Sequence, residues 1–295
     1  MERPMYPPNI NTAAVPHQQV RESSIGRLLV DMGKITLEDA EEILRQQKAK
    51  GMRFGEAAQS LGLITEADIQ QVLARQFDYS YLEPGLGNFA AELVTVYEPF
   101  GEQAETLRTI RSQLMLRWFA IGRKTLAIVS VNPGEGASLF AANLAVVFSQ
   151  LGEQTLLVDA NLRKPRQHQI FNISGKQGLS DILAGRADLD AIAEVAYFDS
   201  LSVLQAGTLP PNPQELISRR SFGALTLSIS NLFDVILYDV SAFSAGADAL
   251  AIAARAGGVL LVARKNMTRV ADINAMTQQF TRVGVEVVGS VLVGY

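Results

Sequence analysis

The sequence predicts an α/β fold on a doubly wound, mostly parallel sheet, preceded by a small all-α domain. Three observations carry that prediction. From residue 125 onward short apolar runs alternate with helical stretches, the pattern of strands covered on both faces by crossover helices. The first apolar run enters a glycine-containing loop and then an alanine-rich helix, the layout in which backbone N–H groups at a helix N-terminus meet an anion. Before residue 80, a unit of 29 residues occurs twice, as in domains built from repeated helix pairs.

The 295 residues suffice for one large domain and one small one. Hydrophobic residues make up 48% and charged residues 19%, a globular composition. A net charge of −4 and an isoelectric point near 5.4 argue against a nucleic-acid partner. The absence of cysteine excludes disulfides, a thiol nucleophile and a cysteine metal site. His17 and His168 alone are too few for a histidine-rich one. No apolar segment follows residues 1–5, so a secretory leader is not expected. The longest apolar runs, such as residues 257–263, fall far short of a membrane span. The expected compartment is the cytoplasm.

Residues 1–22 carry Pro4, Pro7, Pro8 and Pro16 without any period and read as a disordered arm. Residues 23–78 hold the repeat. Gly26, Gly33, Ile35, Thr36, Asp39, Leu44 and Gln47 align with Gly55, Gly62, Ile64, Thr65, Asp68, Leu73 and Gln76. Each copy predicts a short helix closed by a glycine, then a threonine N-cap with an acid three residues on, then a second helix. Residues 79–100, with Pro84, Gly85 and Gly87, read as a linker. Residues 101–119 predict a helix that places Glu105, Arg108 and Arg111 on one face, either a solvated surface or a subunit interface.

Strands are expected at 125–131, 154–159, 201–205, 234–239, 258–264 and 285–293. Helices are expected at 138–151, 178–184, 213–229, 246–255 and 269–283. In such a sheet, ligands bind at the C-terminal strand edge. There the first strand leads into Gly134-Glu135-Gly136-Ala137-Ser138-Leu139, the second ends at Asp159 with Arg163 beyond it, and a later one ends at Asp239. A phosphate loop normally places a lysine after its second glycine to reach the β- and γ-phosphates; here that residue is Ala137. What remains supports ATP or ADP with Mg²⁺. Backbone N–H groups along residues 134–139 would hold phosphate, Ser138, Asp159 and Asp239 would hold metal, and Arg163 would add charge. Asp159 and Asp239 are also the catalytic candidates.

Residues from about 100 to 293 resemble the bacterial tyrosine kinases, P-loop proteins related to the ParA and MinD ATPases. Several stretches in order carry the resemblance: Glu105-x-x-Arg108-x-x-Arg111, Pro133-Gly-Glu-Gly-x-Ser138, Leu156-Leu-Val-Asp159-x-x-x-Arg163-x-Pro165, Gly178-Leu-Ser-Asp181, Gly207-x-x-Pro210 and Phe233-Asp-x-Ile-x-x-Asp239. It implies ring assembly through Glu105, Arg108 and Arg111. It also implies partnership with a membrane chain-length-determinant protein of exopolysaccharide synthesis, and recruitment to the inner face of the plasma membrane. Residues 23–78 resemble the N-terminal domain of type II secretion ATPases. That second resemblance implies either cyclic di-GMP binding through Arg53, Gly55 and Gln76, or a helical docking module whose glycines are structural. The first copy departs from the nucleotide-binding pattern, with Ser24 for an arginine and Lys34 at an apolar position.

The kinase pattern is also incomplete. Ala137 replaces the loop lysine, Asn161 replaces an aspartate, and Ser241-Ala242 stand in place of prolines. The sequence reaches Tyr295 without the tyrosine cluster that the resemblance places there. A charge-assisted hydrogen bond contributes about 1.5–3 kcal/mol, and loss of a preorganised stabiliser of transition-state charge commonly costs about 10²–10³ in rate. The sequence therefore predicts a degenerate, kinase-like regulator of exopolysaccharide assembly that retains a nucleotide cradle. An active tyrosine kinase and a cyclic di-GMP-responsive adaptor are the alternatives. A DNA-segregation ATPase is disfavoured by the acidic composition and the ring motif.

Overall fold

The computed structural model describes residues 25–76, 82 and 86–294. The chain divides into two compact units, Met1–Tyr79 and Ser80–Tyr295. The arm expected at residues 1–22, and Ser24, lie outside the described residues.

The first unit holds α1 (residues 25–31), α2 (Leu37–Lys50), α3 (Phe54–Ser60) and α4 (Glu66–Gln76). The repeat reappears in its hydrogen bonds. Gly33 and Gly62 end α1 and α3 with φ of 67° and 70°, and Lys34 N–H and Leu63 N–H donate back to Leu29 and Ala58 carbonyls at 2.9 and 3.1 Å. Asp39 accepts from the hydroxyl and backbone N–H of Thr36 at 2.7 and 2.8 Å, and Asp68 accepts from those of Thr65 at 2.6 and 2.9 Å. The core is duplicated as well: Leu29, Ile35 and Ile43 meet Ala58, Ile64 and Val72, their partners at the repeat offset, around Phe54. A Cβ on Gly26 would stand 3.0 Å from the Phe54 ring, and one on Gly55 3.1 Å from Ile69. Lys34, out of place as an apolar residue, joins the two copies through an ion pair with Asp68 at 3.0 Å.

The second unit is a seven-stranded sheet. Its strands are β1 (Thr125–Ser130), β2 (Thr155–Ala160), β3 (Ala193–Glu194), β4 (Leu201–Leu204), β5 (Val235–Val240), β6 (Gly258–Arg264) and β7 (Glu286–Val293), in the order β3-β4-β2-β5-β1-β6-β7. All pairings are parallel except β3 with β4. Nine α-helical segments accompany these strands among the described residues: α5 (Val94–Tyr97), α6 (Glu102–Arg117), α7 (Ala137–Ser149), α8 (Gln167–Ile170), α9 (Leu179–Leu183), α10 (Pro213–Ser218), α11 (Arg220–Ser230), α12 (Asp248–Ala256) and α13 (Val270–Arg282). The central strands β2 and β5 are buried along their whole length, and one apolar cluster fills each side of the sheet. α7 is apolar all round and almost wholly buried, as a helix enclosed by other elements must be. Among the described residues no helix is long and apolar enough to cross a membrane.

The structure corrects several expectations. Residues 86–100 do not behave as a linker: Leu93 and Val96 are fully buried, and the Thr95 hydroxyl donates to Asn143 on α7 at 2.9 Å. Residues 79–81 and 83–85, with Pro84 and Gly85, lie outside the described residues. The helix expected at 213–229 is two helices, because Arg219 is extended (φ −65°, ψ 155°). Arg255 takes up the Ser218 carbonyl left open by the break, at 3.1 Å. The short α5, α8 and β3 were too brief for periodicity to reveal.

The hydroxyl and then the backbone N–H of Thr65, with Lys34 beside it, hold the Asp68 carboxyl down to about 2. A carboxyl with a depressed folded-state pKa contributes stability that is present above about pH 4 and lost as pH falls toward 2. Asp68→Ala is expected to cost about 1 kcal/mol at pH 7, and this difference should shrink over that acid range. Trp118 is the only tryptophan and lies in the second unit. The loss should therefore appear in far-ultraviolet circular dichroism and leave the Trp118 fluorescence transition in place.

Candidate nucleotide-binding site

Strand order assembles the site. β5 lies between β2 and β1, and Asp159 sits directly opposite Asp239 in the β2–β5 register. The loop after β1 therefore opens beside two acids contributed by neighbouring strands.

In that loop Gly134 and Gly136 have φ of 84° and 90°, a region that side chains disfavour. Gly136 turns the chain so that α7 begins at Ala137. The first intrahelical bond runs from Phe140 N–H to the Gly136 carbonyl at 2.9 Å. The N–H groups of residues 137–139 thus have no acceptor within the helix and are available to an anion. Two contacts brace the loop. The buried Glu135 carboxylate accepts from Asn132 N–H at 2.9 Å and Asn132 Nδ2 at 3.2 Å, and Arg264, at the end of β6, donates to the Gly134 carbonyl at 2.8 Å. The side chain of Glu135 thus stabilises the loop whose backbone N–H groups are the expected phosphate ligands.

The cleft has a volume of about 390 Å³ and is lined by Gly134, Gly136, Ala137, Ser138 and Leu139, by Asn161, Arg163, Lys164 and Arg166, and by Ser241 and Ala242. Asp159 and Asp239, both fully buried, lie beneath it. Asp159 accepts from the backbone N–H groups of Asn161, Arg166 and Gln167 at 3.3, 3.0 and 2.9 Å. Asp239 accepts from the Ser138 hydroxyl at 3.1 Å and the Gln167 side-chain amide at 2.7 Å. Burial, then the negative charge of Asp239, pushes the Asp159 carboxyl well above its ordinary range despite its three N–H donors. Burial likewise raises Asp239 to about 6, against the bonds from Gln167 and Ser138 and the positive charge of Arg166.

The residues fit a nucleotide and a cation. The Ser241 hydroxyl, which lines the cleft, is buried without a hydrogen-bond partner. Two acids and a hydroxyl converge next to the loop. Among the described residues no group of three or more His, Cys, Asp or Glu side chains is placed to hold a metal. A cation here would complete its shell with water and phosphate oxygens, as Mg²⁺ commonly does.

The other expected residues are placed as follows. Arg163 lines the cleft but is held by the buried Asp248 at the start of α12, at 2.6 and 3.3 Å; this bond pushes its guanidinium further up. Asn161 accepts from Lys164 N–H at 3.1 Å, the turn that an aspartate there would also make. On α6, Arg108 pairs with Glu105, and Arg111 donates to the Val147 carbonyl at 2.8 Å. Arg53 is exposed just ahead of α3, Gly55 lies on α3 against Ile69, and Gln76 ends α4. Gln167, Arg166, Asp248 and Arg264 escaped sequence reasoning. The one available signal for the first two was their place just after Pro165, within reach of the strand carrying Asp159.

Fold and cleft together define a P-loop protein with a mostly parallel sheet. The chain is 35% identical over 176 residues to the tyrosine-protein kinase YwqD of Bacillus subtilis, an alignment covering 60% of this chain and 74% of that protein. It is 30% identical over 202 residues to the tyrosine-protein kinase wzc of Salmonella typhimurium, covering 68% of this chain but only 28% of that protein's length. The solved kinase domain of the Escherichia coli tyrosine kinase ETK matches with a TM-score of 0.66 and 28% identity, over 68% of this chain and 79% of that one. The chain belongs to the bacterial tyrosine kinase family. No protein-family model matches it.

A carboxyl whose folded pKa is raised favours folding most below its unfolded value, and that advantage is lost as pH climbs through the folded value. For Asp239 the window runs from about pH 4 to about pH 6, set by burial and by the facing groups Asp159, Arg166, Ser138 and Gln167. Asp239→Asn can keep a bond to Gln167 through its oxygen and one to Ser138 through its amide. It should raise the melting temperature at pH 7.5 by several degrees, for an upper bound of about 3 kcal/mol, and the gain should fade by pH 4. Asp159→Asn, which puts an amide against backbone donors, should destabilise at pH 7.5.

Proposed function

We propose that this protein is a kinase-like regulator of exopolysaccharide polymerisation and export that binds Mg²⁺-nucleotide weakly and is impaired in phosphoryl transfer. One observation carries the reading: the loop, the hydroxyl and both acids are in place, while the loop lysine is replaced by Ala137, whose side chain lines the cleft. Loop N–H groups would hold the phosphates, and Ser138, Asp159 and Asp239 would hold the cation. A bound Mg²⁺ would neutralise phosphate charge. Arg163 is engaged by Asp248, and Asn161 brings a dipole where an aspartate would bring a charge. Neither supplies the missing functions.

In this reading the protein docks from the cytoplasm on a membrane chain-length-determinant protein and assembles with further copies through Glu105, Arg108 and Arg111. Glu105 is 63% exposed at its side chain and available to a neighbour. Residues 23–78 serve as a docking module, a role supported by the packing of Gly26 and Gly55 against Phe54 and Ile69. That packing accounts for both glycines without a bound cyclic di-GMP.

Calorimetric titration with Mg²⁺-ATP tests the site. Ala137→Lys should bind at least about tenfold tighter than the parent, the size of one charge-assisted hydrogen bond. Phosphotyrosine or turnover in the unmodified protein would overturn the impaired-kinase reading in favour of an active kinase. For assembly, light scattering of Glu105→Ala/Arg108→Ala should show a lower mass than the parent; an unchanged mass would mean that this face is merely solvated.

A further inference from the structure

Ser241 lines the cleft, yet it has no role in the reading above. The residue is only 2% exposed, and among the described residues nothing bonds its hydroxyl. A buried hydroxyl left unpaired costs free energy, so the fold gains nothing from this group on its own account. The backbone around it is pinned on both sides. β5 ends one residue earlier, at Val240. Beyond it, the turn at Phe243–Ala245 is tied to the entrance of the phosphate loop, where Ser244 N–H donates to the Val131 carbonyl at 2.9 Å. The hydroxyl has no bond to hold it, and a serine side chain has three staggered positions among which to turn. A proline, which the kinase pattern places here, would offer neither hydroxyl nor N–H.

Position suggests what the hydroxyl meets. Asp239 accepts from the Ser138 hydroxyl at 3.1 Å, and these two groups mark the expected place of the cation. A cation in such a site bridges two phosphates, the inner one cradled by the N–H groups at the start of α7. A strand advances about 3.3 Å per residue, so Ser241 stands about two such steps outward of Asp239. We propose that the Ser241 hydroxyl donates to the outer, terminal phosphate of a nucleoside triphosphate and makes the cleft prefer a triphosphate to a diphosphate. The inference rests on the nucleotide–metal reading of the cleft and adds selectivity to it. Ionised phosphate oxygens accept hydrogen bonds, and a serine hydroxyl has a hydrogen to give. A diphosphate has no group at that place and leaves the hydroxyl unpaired.

The test is calorimetric titration of the full chain, Ser241→Ala and Ser241→Cys with Mg²⁺-β,γ-imido-ATP and with Mg²⁺-ADP at pH 7.5. Each is repeated with Ala137→Lys added, so that weakened binding stays measurable. Both variants should bind the imido triphosphate about tenfold more weakly, the size of one charge-assisted hydrogen bond, while their Kd for ADP stays within twofold of the parent. Cysteine keeps a side chain of similar shape but is only a weak donor. Triphosphate affinities within twofold of the parent, or equal losses for both nucleotides, would overturn the subsite and leave the nucleotide site standing. No binding of either nucleotide, even with Ala137→Lys, would overturn the nucleotide–metal reading and the subsite with it. Melting without nucleotide supplies a second readout. Because the hydroxyl makes no bond within the fold, Ser241→Ala should melt no lower than the parent. A fall of several degrees would show that the hydroxyl serves the fold, and would refute the proposal.

Discussion

The constraint that shapes this protein is the burial of two like charges on adjacent strands. Asp159 and Asp239 face each other across the β2–β5 register, and neither reaches solvent. Isolated carboxylates are very costly in such surroundings, so the structure surrounds them with donors. Three backbone N–H groups turn toward Asp159. A serine hydroxyl and a glutamine amide turn toward Asp239. The start of α7, the segment after β2 and the short α8 take their positions from this need, and the cleft is what remains above it.

The helical unit solves a simpler problem with the same economy. Neither copy of the repeat could bury its apolar residues alone. Together they supply one core, in which Leu29, Ile35 and Ile43 are matched by Ala58, Ile64 and Val72. Capping, turn chemistry and packing agree at every level, as expected of a segment with few competing structures.

Much of this was legible in the sequence because it rests on local chemistry or strong periodicity. The threonine–aspartate caps, the glycine helix ends, the buried strands and the loop at residues 133–138 all follow from neighbours close in the chain. The meeting of Ser138, Asp159 and Asp239 at one place follows as well, since strand ends in a parallel sheet share an edge. What escaped depended on contacts across the fold. Nothing in the sequence marks Glu135 as the brace of the loop, its carboxylate captured by Asn132. Arg163 reads as a free cation until Asp248, far along the chain, is placed beside it. Gln167 carries no motif, and only the turn after β2 brings it between the acids. Residues 86–100 look like a linker by composition, and their burial is decided by α7.

The bonds that Asp159 accepts from the N–H groups of Asn161, Arg166 and Gln167 also close the segment after β2 upon its own strand. The shape of that loop is therefore set from beneath, by an acid that no solvent reaches. Its upper residues, Arg163 and Lys164, are exposed and carry none of those three bonds. At Lys164 the rim can thus change its side chain, and with it the molecules it admits, while its foundation stays as it is; Arg163 is tied to the buried Asp248. Such an arrangement lets a lineage alter what a site accepts without first relearning how to fold it.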